Sequence, residues 1–205
     1  MKLSAVLSDI GEVVAPFDNN KTFRAFAKFS GLPVAKVEDV FMGRGAVLVG
    51  QYERDEISTQ EFQKIICSRL NIAKRDMPSE EDFYEAYAHV FTVRPEVLAE
   101  WAVLQLRDIP VVAVSNICEM RYRRLHEMGV LPCFDHEVMS FQEGMAKPSE
   151  ELMVRALDRA GSKAEETIFV DDLAENLVPA AKLGIVTHHF TGVDSFLKFL
   201  ASIGA

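Results

Sequence analysis

Short apolar runs that alternate with longer amphipathic segments constrain the fold of this chain more than any other feature. Consecutive apolar residues, without polar alternation, are typical of parallel strands that are covered on both faces. We predict strands at LSAVLS (3–8), IPVVAVS (109–115), TIFV (167–170) and GIVTHHF (184–190), and a weaker one at HEVMS (136–140). This order predicts an α/β fold with a doubly wound, mainly parallel sheet.

Amphipathic segments lie between the later strands and predict the helices that cover this sheet. Each carries apolar residues on one face, and three of them end on a glycine, which is a common helix stop signal. The predicted helices cover residues 95–108, 121–129, 149–161 and 176–184.

Residues 15–92 differ, because four helical patterns follow one another there without an intervening strand. Ser58 and Glu61 have the spacing of a capping box at the start of one helix. We predict that residues 15–92 form an all-helical insertion, termed the cap, and that 1–14 and 93–205 form the α/β core. Three cap aromatics recur at helical spacing and are expected to be buried: Phe23, Phe26 and Phe29.

Composition restricts the compartment and the partners of the chain. With 205 residues and 49% hydrophobic residues it can build an ordinary apolar core, and a net charge of −9 disfavours a nucleic-acid surface. Cys67, Cys118 and Cys133 lack metal-site spacing, so we expect reduced thiols, with Cys118 as a small packing residue. The first apolar run ends on Asp9 without a signal-peptide cleavage site, and no segment reaches the roughly 18 apolar residues of a membrane span. We therefore expect a soluble cytoplasmic protein without membrane or nucleic-acid partners; the sequence does not indicate an oligomeric state.

Polar residues stand at the carboxyl ends of the predicted strands, where a doubly wound sheet binds its ligand. Lys147 lies in the loop QEGMAKPSE, before a predicted helix. The residues at the strand ends are Asp9, Ser115, Asn116, Asp171 and Asp172. Four separate segments therefore deliver polar groups to one edge of the sheet.

These residue types suit phosphoryl transfer. A carboxylate such as Asp9 can attack phosphorus as a nucleophile, but an anion must then approach a dianion. A magnesium ion held by carboxylates offsets that repulsion, and Asp171, Asp172 and the Gly11 carbonyl are candidate ligands beside Asp9. Lys147 can neutralise the charge that develops in the transition state.

Weaker signals surround these acids. The Ser115 hydroxyl can donate to a phosphoryl oxygen, and backbone N–H groups at Asn116 and Ile117 can do so if a helix begins there. The Ser-Asn pair is equally compatible with a structural helix cap. Asn176 either orients Asp172 or caps the following helix.

The ordered set of motifs VLSDIGEVV, VVAVSN, AKPS and TIFVDDLAEN resembles the haloacid dehalogenase-like hydrolase superfamily over essentially the full chain. Within it, the chain is similar to bacterial phosphatases active on α-D-glucose 1-phosphate. The resemblance implies a Rossmann-like core with a helical cap and hydrolysis of a small phosphorylated substrate, such as a sugar phosphate. It implies Asp9 as nucleophile, Asp172 as a direct Mg²⁺ ligand, Asp171 as a second acid at the metal, and Ser115 and Lys147 as phosphate-binding residues.

The departure from this pattern is Gly11. Phosphatases of the superfamily commonly carry an aspartate two residues after the nucleophile, where it protonates the leaving oxygen and later activates water. Such general acid–base help is worth about 10²–10⁴-fold, and glycine cannot supply it. Glu12 is adjacent but is expected to point away along an extended strand.

Three other functions remain open at this point. A metal-independent haloacid dehalogenase would use the same nucleophile, although it would not need the Asp171–Asp172 pair. A catalytically weak phospholigand-binding regulatory protein would explain Gly11. A receiver domain is disfavoured, because its acid pair comes early in the chain and it lacks a helical insertion.

Other polar residues give weaker indications. The cap segment 41–58 contains the cluster Tyr52–Asp55, which is expected to be exposed. Arg44 in the same segment is either a contact for a sugar or phosphate or a solvated charge beside a turn. His188 and His189 end the last predicted strand and are expected to pack rather than to act in catalysis.

Overall fold

A computed structural model describes residues 2–43 and 45–204 and confirms the predicted α/β fold. Its five strands are all parallel and lie in the order β3-β2-β1-β4-β5. The strands are β1 (Ala5–Ser8), β2 (Val111–Ser115), β3 (His136–Met139), β4 (Thr167–Asp171) and β5 (Val186–His189). All five lie within the runs predicted as strands, except that β4 continues by one residue to Asp171.

Eleven α-helices of the described residues surround or extend this sheet. The first five are α1 (Asn19–Ser30), α2 (Val34–Glu38), α3 (Ala46–Glu53), α4 (Thr59–Arg69) and α5 (Glu80–Ala88). The others are α6 (Pro95–Gln105), α7 (Glu119–Glu127), α8 (Ser140–Glu143), α9 (Glu150–Ala160), α10 (Ala174–Lys182) and α11 (Val193–Ile203). Helix α11 was not predicted, although Phe196 and Leu200 repeat at a helical spacing and are buried.

The register of the central strand brings the carboxyl ends of the sheet together. Ser8, the last residue of β1, pairs with Ala113 of β2 and with Val170 of β4. Every residue of these three strands is buried. Chain segments that leave β1, β2 and β4 therefore begin side by side, as the doubly wound arrangement requires.

Two apolar layers cover the sheet, one on each face. Successive side chains of a strand point to opposite faces, and accordingly Val6 packs in one cluster and Leu7 in the other. Trp101 of α6 joins the first cluster, and Leu152 of α9 joins the second. Burial on both faces explains why the strands read as continuous apolar runs.

The helices α1–α5 enclose an apolar cluster of their own. The rings of Phe62 and Tyr87 meet in this cluster, and the ring of Phe26 meets that of Phe83. Phe23 and Phe26 are buried as predicted, whereas Phe29 is only partly buried. The capping box is confirmed, because Ser58 and Glu61 bond reciprocally at the start of α4. The division of the chain into cap and core at residues 14/15 and 92/93 stays a prediction.

The two segments that connect these helices to the sheet lie against each other. The Asp18 N–H donates to the Val90 carbonyl at 3.1 Å, and the Thr92 N–H donates to the Pro16 carbonyl at 2.9 Å. This pairing fixes the position at which α1 departs and α5 returns.

Two expectations from composition can be compared with the structure. All three cysteines are free, and Cys118 is fully buried in the apolar cluster of α1–α5, which confirms its packing role. Among the described residues, no helix combines the length and the apolar character needed to cross a membrane.

Candidate functional site

Asp9 lies at the carboxyl end of the central strand and is buried. Its N–H donates to the Val170 carbonyl at 2.9 Å, which extends the β1–β4 ladder up to the acid itself. Its Oδ1 accepts the N–H of Ile10 at 2.7 Å. A backbone held on both sides therefore presents the Asp9 carboxyl to the edge of the sheet at a fixed position.

Lys147 bridges Asp9 to the end of β4. Its Nζ lies 2.9 Å from Asp9 Oδ1 and 2.7 Å from Asp171 Oδ2, and the ammonium group is almost completely buried. Although burial lowers the pKa of Lys147, Asp9 and Asp171 together raise it above its ordinary value. The side chain is therefore a fixed cation between two acids.

The main chain of Lys147 is held by the asparagine that follows β2. Asn116 Oδ1 accepts the Lys147 N–H at 2.7 Å, and Asn116 Nδ2 donates to the Lys147 carbonyl at 2.9 Å. The Asn116 side chain is thus a clamp on the lysine loop. Because the side chain is used in this way, only the backbone N–H of Asn116 can make the predicted contact with phosphate, which stays a prediction.

Asp171 and Asp172 differ in how far their oxygens are already used. Asp171 Oδ1 accepts the Leu173 N–H at 2.8 Å and the Asn176 Nδ2–H at 2.9 Å, while its Oδ2 binds Lys147. Asp172 is half-buried. Its burial raises its pKa, and the charge of Asp171 raises it further. Asn176 lies inside α10 and orients Asp171, so the alternatives that it orients Asp172 or caps the helix are both wrong.

The acids at this edge can hold a metal ion. Asp9, Asp171 and Asp172 each offer a carboxylate oxygen, and these oxygens lie within 4.8 Å of one another. Burial raises the pKa of Asp9 to about 6; the ammonium group of Lys147 opposes this effect, and the charge of Asp171 adds to it. Hard divalent cations such as Mg²⁺ bind oxygen ligands of this kind, so the residues fit the predicted metal.

Three further predicted positions are Ser115, the Gly11 carbonyl and the Ile117 N–H, and the last two already take part in hydrogen bonds within the chain. Ser115 is buried at the end of β2, on the same edge as Asp9. The Gly11 carbonyl accepts the Val13 N–H. Helix α7 begins only at Glu119, and the Ile117 N–H donates to Ser140 Oγ at 2.9 Å. The predicted anion site at the Ile117 N–H is therefore wrong, because that donor is already used.

The space beside Gly11 is occupied by an aromatic ring. A Cβ at this position would lie 3.3 Å from Phe17 Cε1, and the φ of Gly11 lies outside the left-handed region. Glu12 is not on an extended strand but has a φ of 52°. Its carboxylate accepts the Phe17 N–H at 3.1 Å and lies 3.9 Å from Arg94. Glu12 is therefore committed to the turn after β1.

Two charged residues that the sequence analysis did not assign to the site interact near this edge, Glu53 of the cap and Arg121 of α7. Glu53 ends α3, and burial raises the pKa of its carboxyl to about 7, an effect that Arg121 opposes most strongly. Arg121 Nη2 donates to Asn19 Oδ1 at 2.7 Å, and its guanidinium lies over the rings of Phe17 and Tyr87. The expected exposure of Tyr52–Asp55 is wrong for Tyr52, which is 2% exposed, and for Glu53 and Arg54, which are half-buried; Asp55 is exposed as expected.

Two residues considered earlier complete the surroundings. His189 was excluded from the site, yet its Nε2 lies 2.8 Å from the Asp172 carbonyl oxygen. His188 stacks on Phe199 at 4.3 Å between ring centroids, in agreement with a packing role. Arg44 lies outside the described residues.

Comparison with known proteins gives one family. A family model described as haloacid dehalogenase-like hydrolase matches residues 4–184. A sesquiterpene phosphatase from Aspergillus oryzae is 36% identical over 144 residues, which are 69% of this chain and 71% of that protein. A glyceraldehyde 3-phosphate phosphatase from Methanocaldococcus jannaschii is 37% identical over 77 residues, which are 37% of this chain and 34% of that protein.

Solved structures share the fold. A HAD family enzyme from Bacteroides thetaiotaomicron, solved as a magnesium complex, superposes with a TM-score of 0.81 at 23% identity and covers 97% of this chain and 99% of that chain. An L-2-haloacid dehalogenase from Xanthobacter autotrophicus gives a TM-score of 0.65 at 15% identity over 98% of this chain and 83% of that chain.

Proposed function

We propose that this chain, which belongs to the haloacid dehalogenase-like hydrolase family, is a Mg²⁺-dependent phosphomonoesterase that forms an aspartyl-phosphate on Asp9. Its phosphatase-named relatives indicate that it is a phosphatase of that family. The observation that carries this proposal is the buried arrangement of Asp9, Lys147 and Asp171, with Asp172 beside them. It combines a nucleophile, a fixed cation and a set of metal ligands at one strand edge.

Asp9 attacks through its free oxygen. Within the described residues, both hydrogen-bonded neighbours of the Asp9 carboxyl, Ile10 and Lys147, contact Oδ1. Oδ2 is therefore the oxygen that we expect to attack phosphorus. Because the nucleophile is fixed by these contacts, little reorganisation is needed when the substrate arrives.

Lys147 and Ser115 hold the phosphoryl group. Lys147 Nζ already touches Asp9, so a phosphoryl oxygen that approaches the nucleophile comes within reach of the same ammonium group. A buried cation stabilises the additional negative charge of the transition state. The Ser115 hydroxyl at the end of β2 provides a second donor at the same edge.

The excess of acids supports the metal requirement. Three carboxylates and one ammonium group leave the site negative before a dianionic substrate binds. Mg²⁺ bound by Asp9, Asp172 and the Gly11 carbonyl, with Asp171 as a second acid beside it, would offset this charge and polarise the phosphoryl oxygens. Asp171 is already saturated by Lys147, Asn176 and Leu173, so we assign direct coordination to Asp172 and an orienting role to Asp171.

The substrate that we propose is a small phosphorylated metabolite, and specifically a sugar phosphate. Glu53 of the cap interacts electrostatically with Arg121 of α7 and with Lys147 and Asp9 at the catalytic edge, and polar groups of this kind suit a hydroxylated substrate. A phosphatase for glyceraldehyde 3-phosphate among the relatives supports a small polar substrate. Three free cysteines support our proposal of a cytoplasmic location.

A phosphate-release screen tests the proposal. The chain is offered a panel of sugar phosphates with Mg²⁺ or with EDTA, and the matched variant is Asp9→Asn, which keeps the shape of the side chain. We expect release that requires Mg²⁺ and that the variant loses entirely, while its melting temperature stays close to that of the wild type. Phosphate release by Asp9→Asn at the wild-type rate contradicts the assignment of the nucleophile. Chloride release from 2-chloropropionate that EDTA does not affect would establish a dehalogenase instead.

A further inference from the structure

The turn after β1 offers no group that can move a proton to the leaving oxygen. Gly11 has no side chain, and the Phe17 ring stands where one would extend. The neighbouring Glu12 is bound to the Phe17 N–H and lies near Arg94. Hydrolysis of an unactivated phosphate ester therefore requires an acid from another part of the molecule.

Of the three carboxyl groups at the sheet edge, Asp9 is the nucleophile, Asp172 is assigned to the metal, and both oxygens of Asp171 already accept hydrogen bonds. Glu53 is the last residue of α3, and its carboxyl interacts electrostatically with Asp9 and Lys147 at this edge. It is half-buried, and no ion pair with a described residue ties down its carboxyl.

The backbone of Glu53 is fixed to the loop that leaves β2. Ser140 Oγ donates to the Glu53 carbonyl at 2.5 Å and accepts the Ile117 N–H at 2.9 Å. Ile117 is two residues from Ser115, so one hydroxyl connects the end of α3 to the proposed phosphate-binding loop. This contact fixes the backbone at the end of α3 relative to the loop that follows β2.

Charged groups from several elements face the Glu53 carboxyl. Arg121 from α7, Lys147 from its loop and Asp9 from the end of β1 interact with it electrostatically, as does Arg54, the residue after α3. Tyr87 of α5 and Cys118 before α7 also face it. Burial outweighs the three cations and raises the pKa of Glu53 to about 7. A carboxyl group that titrates near neutrality can serve as an acid in one step and as a base in the next.

We propose that Glu53 is the general acid and base of this enzyme, supplied by the cap in place of a side chain at residue 11. The proposal rests on the phosphatase function proposed above. It predicts that proton transfer becomes possible only when α3 is docked on Ser140, so that cap closure and chemistry are coupled.

The two half-reactions balance with this one proton. In the first, Asp9 Oδ2 forms a bond to phosphorus, the bond from phosphorus to the ester oxygen breaks, and protonated Glu53 gives its proton to that oxygen. In the second, the Glu53 carboxylate takes a proton from water, the water oxygen bonds to phosphorus, and the phosphorus–Asp9 bond breaks. Alcohol and inorganic phosphate leave, and both acids return to their starting states.

The test compares Glu53→Gln with the wild type on two esters that differ in their need for an acid. p-Nitrophenolate leaves without protonation, whereas an alkoxide from a sugar phosphate does not. We expect Glu53→Gln to form p-nitrophenolate in a burst at a rate within about tenfold of the wild type, and to turn over the sugar phosphate about 10²–10³-fold more slowly. After the burst, slow hydrolysis of the aspartyl-phosphate should limit turnover of the aryl ester.

The matched control is Glu38→Gln, which removes an exposed carboxyl from α2 in the same cap and should behave as the wild type. The ratio of the two ester rates within one variant does not depend on the fraction of folded enzyme. Glu53→Ala is a second variant that removes the same carboxyl and should change this ratio in the same direction. Equal losses on both esters, or no loss on either, overturn the role of Glu53. Absence of phosphate release by the wild type overturns the proposed function itself.

Discussion

At the scale of single residues, most carboxylate oxygens of Asp9 and Asp171 already accept hydrogen bonds from the protein. Asp171 and Asp9 share Lys147, and Asp171 is further held by Asn176 and the Leu173 N–H. Each contact removes a degree of freedom from a charged group before a ligand arrives. The cost is an accumulation of negative charge, which burial makes expensive and which the raised pKa of Asp9 reflects.

Gly11 allows a prediction at the same scale. Its φ suits any residue, and a new Cβ would meet only the edge of the flexible Phe17 side chain at 3.3 Å. We expect Gly11→Asp to fold with a loss of about 1 kcal/mol in the free energy of unfolding, measured by urea denaturation. Combined with Glu53→Gln, it should raise turnover of the sugar phosphate at least about tenfold, because a carboxyl again stands near the leaving oxygen.

Gly11→Asn is the matched control for this experiment, since it has the same shape without a transferable proton. Equal rescue by both substitutions would attribute the effect to packing against Phe17 and would contradict the prediction.

At the scale of elements, the clamp between Asn116 and Lys147 connects the loop after β2 with the loop before α9. We expect Asn116→Ala to lower the free energy of unfolding by about 1–3 kcal/mol, because two backbone groups lose their partner. We also expect kcat to fall at least about tenfold, since Nζ of Lys147 is positioned by the backbone that Asn116 holds. Steady-state kinetics and denaturant titration measure the two effects.

Asn20→Ala provides the control for the clamp, because Asn20 is exposed on α1 and bonds only to neighbouring Asp18 among the described residues. Asn116→Asp keeps the acceptor for the Lys147 N–H and loses the donor, so its kcat should lie between those of Asn116→Ala and the wild type. A wild-type kcat in Asn116→Ala would show that the lysine is positioned by other contacts.

The elements also show which parts of the site were predictable from the sequence. Asp9, Ser115 and Asp171 lie at strand ends, and parallel strands bring their carboxyl ends to one edge whatever the loops do. The partners of Asn116 and Asn176 depend on the path of a loop and on the rotation of a helix, and neither leaves a local signal in the sequence. Glu53 was missed for the same reason, because its anchor, Ser140, lies 87 residues away.

At the scale of the whole molecule, the burial of Glu53 makes the free energy of unfolding depend on pH. Glu53 has an ordinary pKa near 4.5 and a pKa of about 7 in the folded chain, so the folded state binds its proton more tightly than the unfolded state. Between these two values the native state holds a proton that the unfolded state has released. Stability therefore falls as the pH rises through this range, by about 1.4 kcal/mol for each unit of difference in pKa.

This linkage gives a test of Glu53 that needs no substrate. Glu53→Gln cannot titrate, so we expect it to gain stability relative to the wild type by about 1–3 kcal/mol between pH 5 and pH 8, measured by urea denaturation in EDTA. Asp9 and Asp172 also have raised pKa values, and because both proteins retain these acids, the effect of their own burial is common to the two proteins. The difference therefore reports the titration of Glu53 together with its coupling to Asp9. A flat difference for Glu53→Gln would mean that the cap carboxyl is solvated in the folded protein, and its pKa would then be too low for an acid that works near neutral pH.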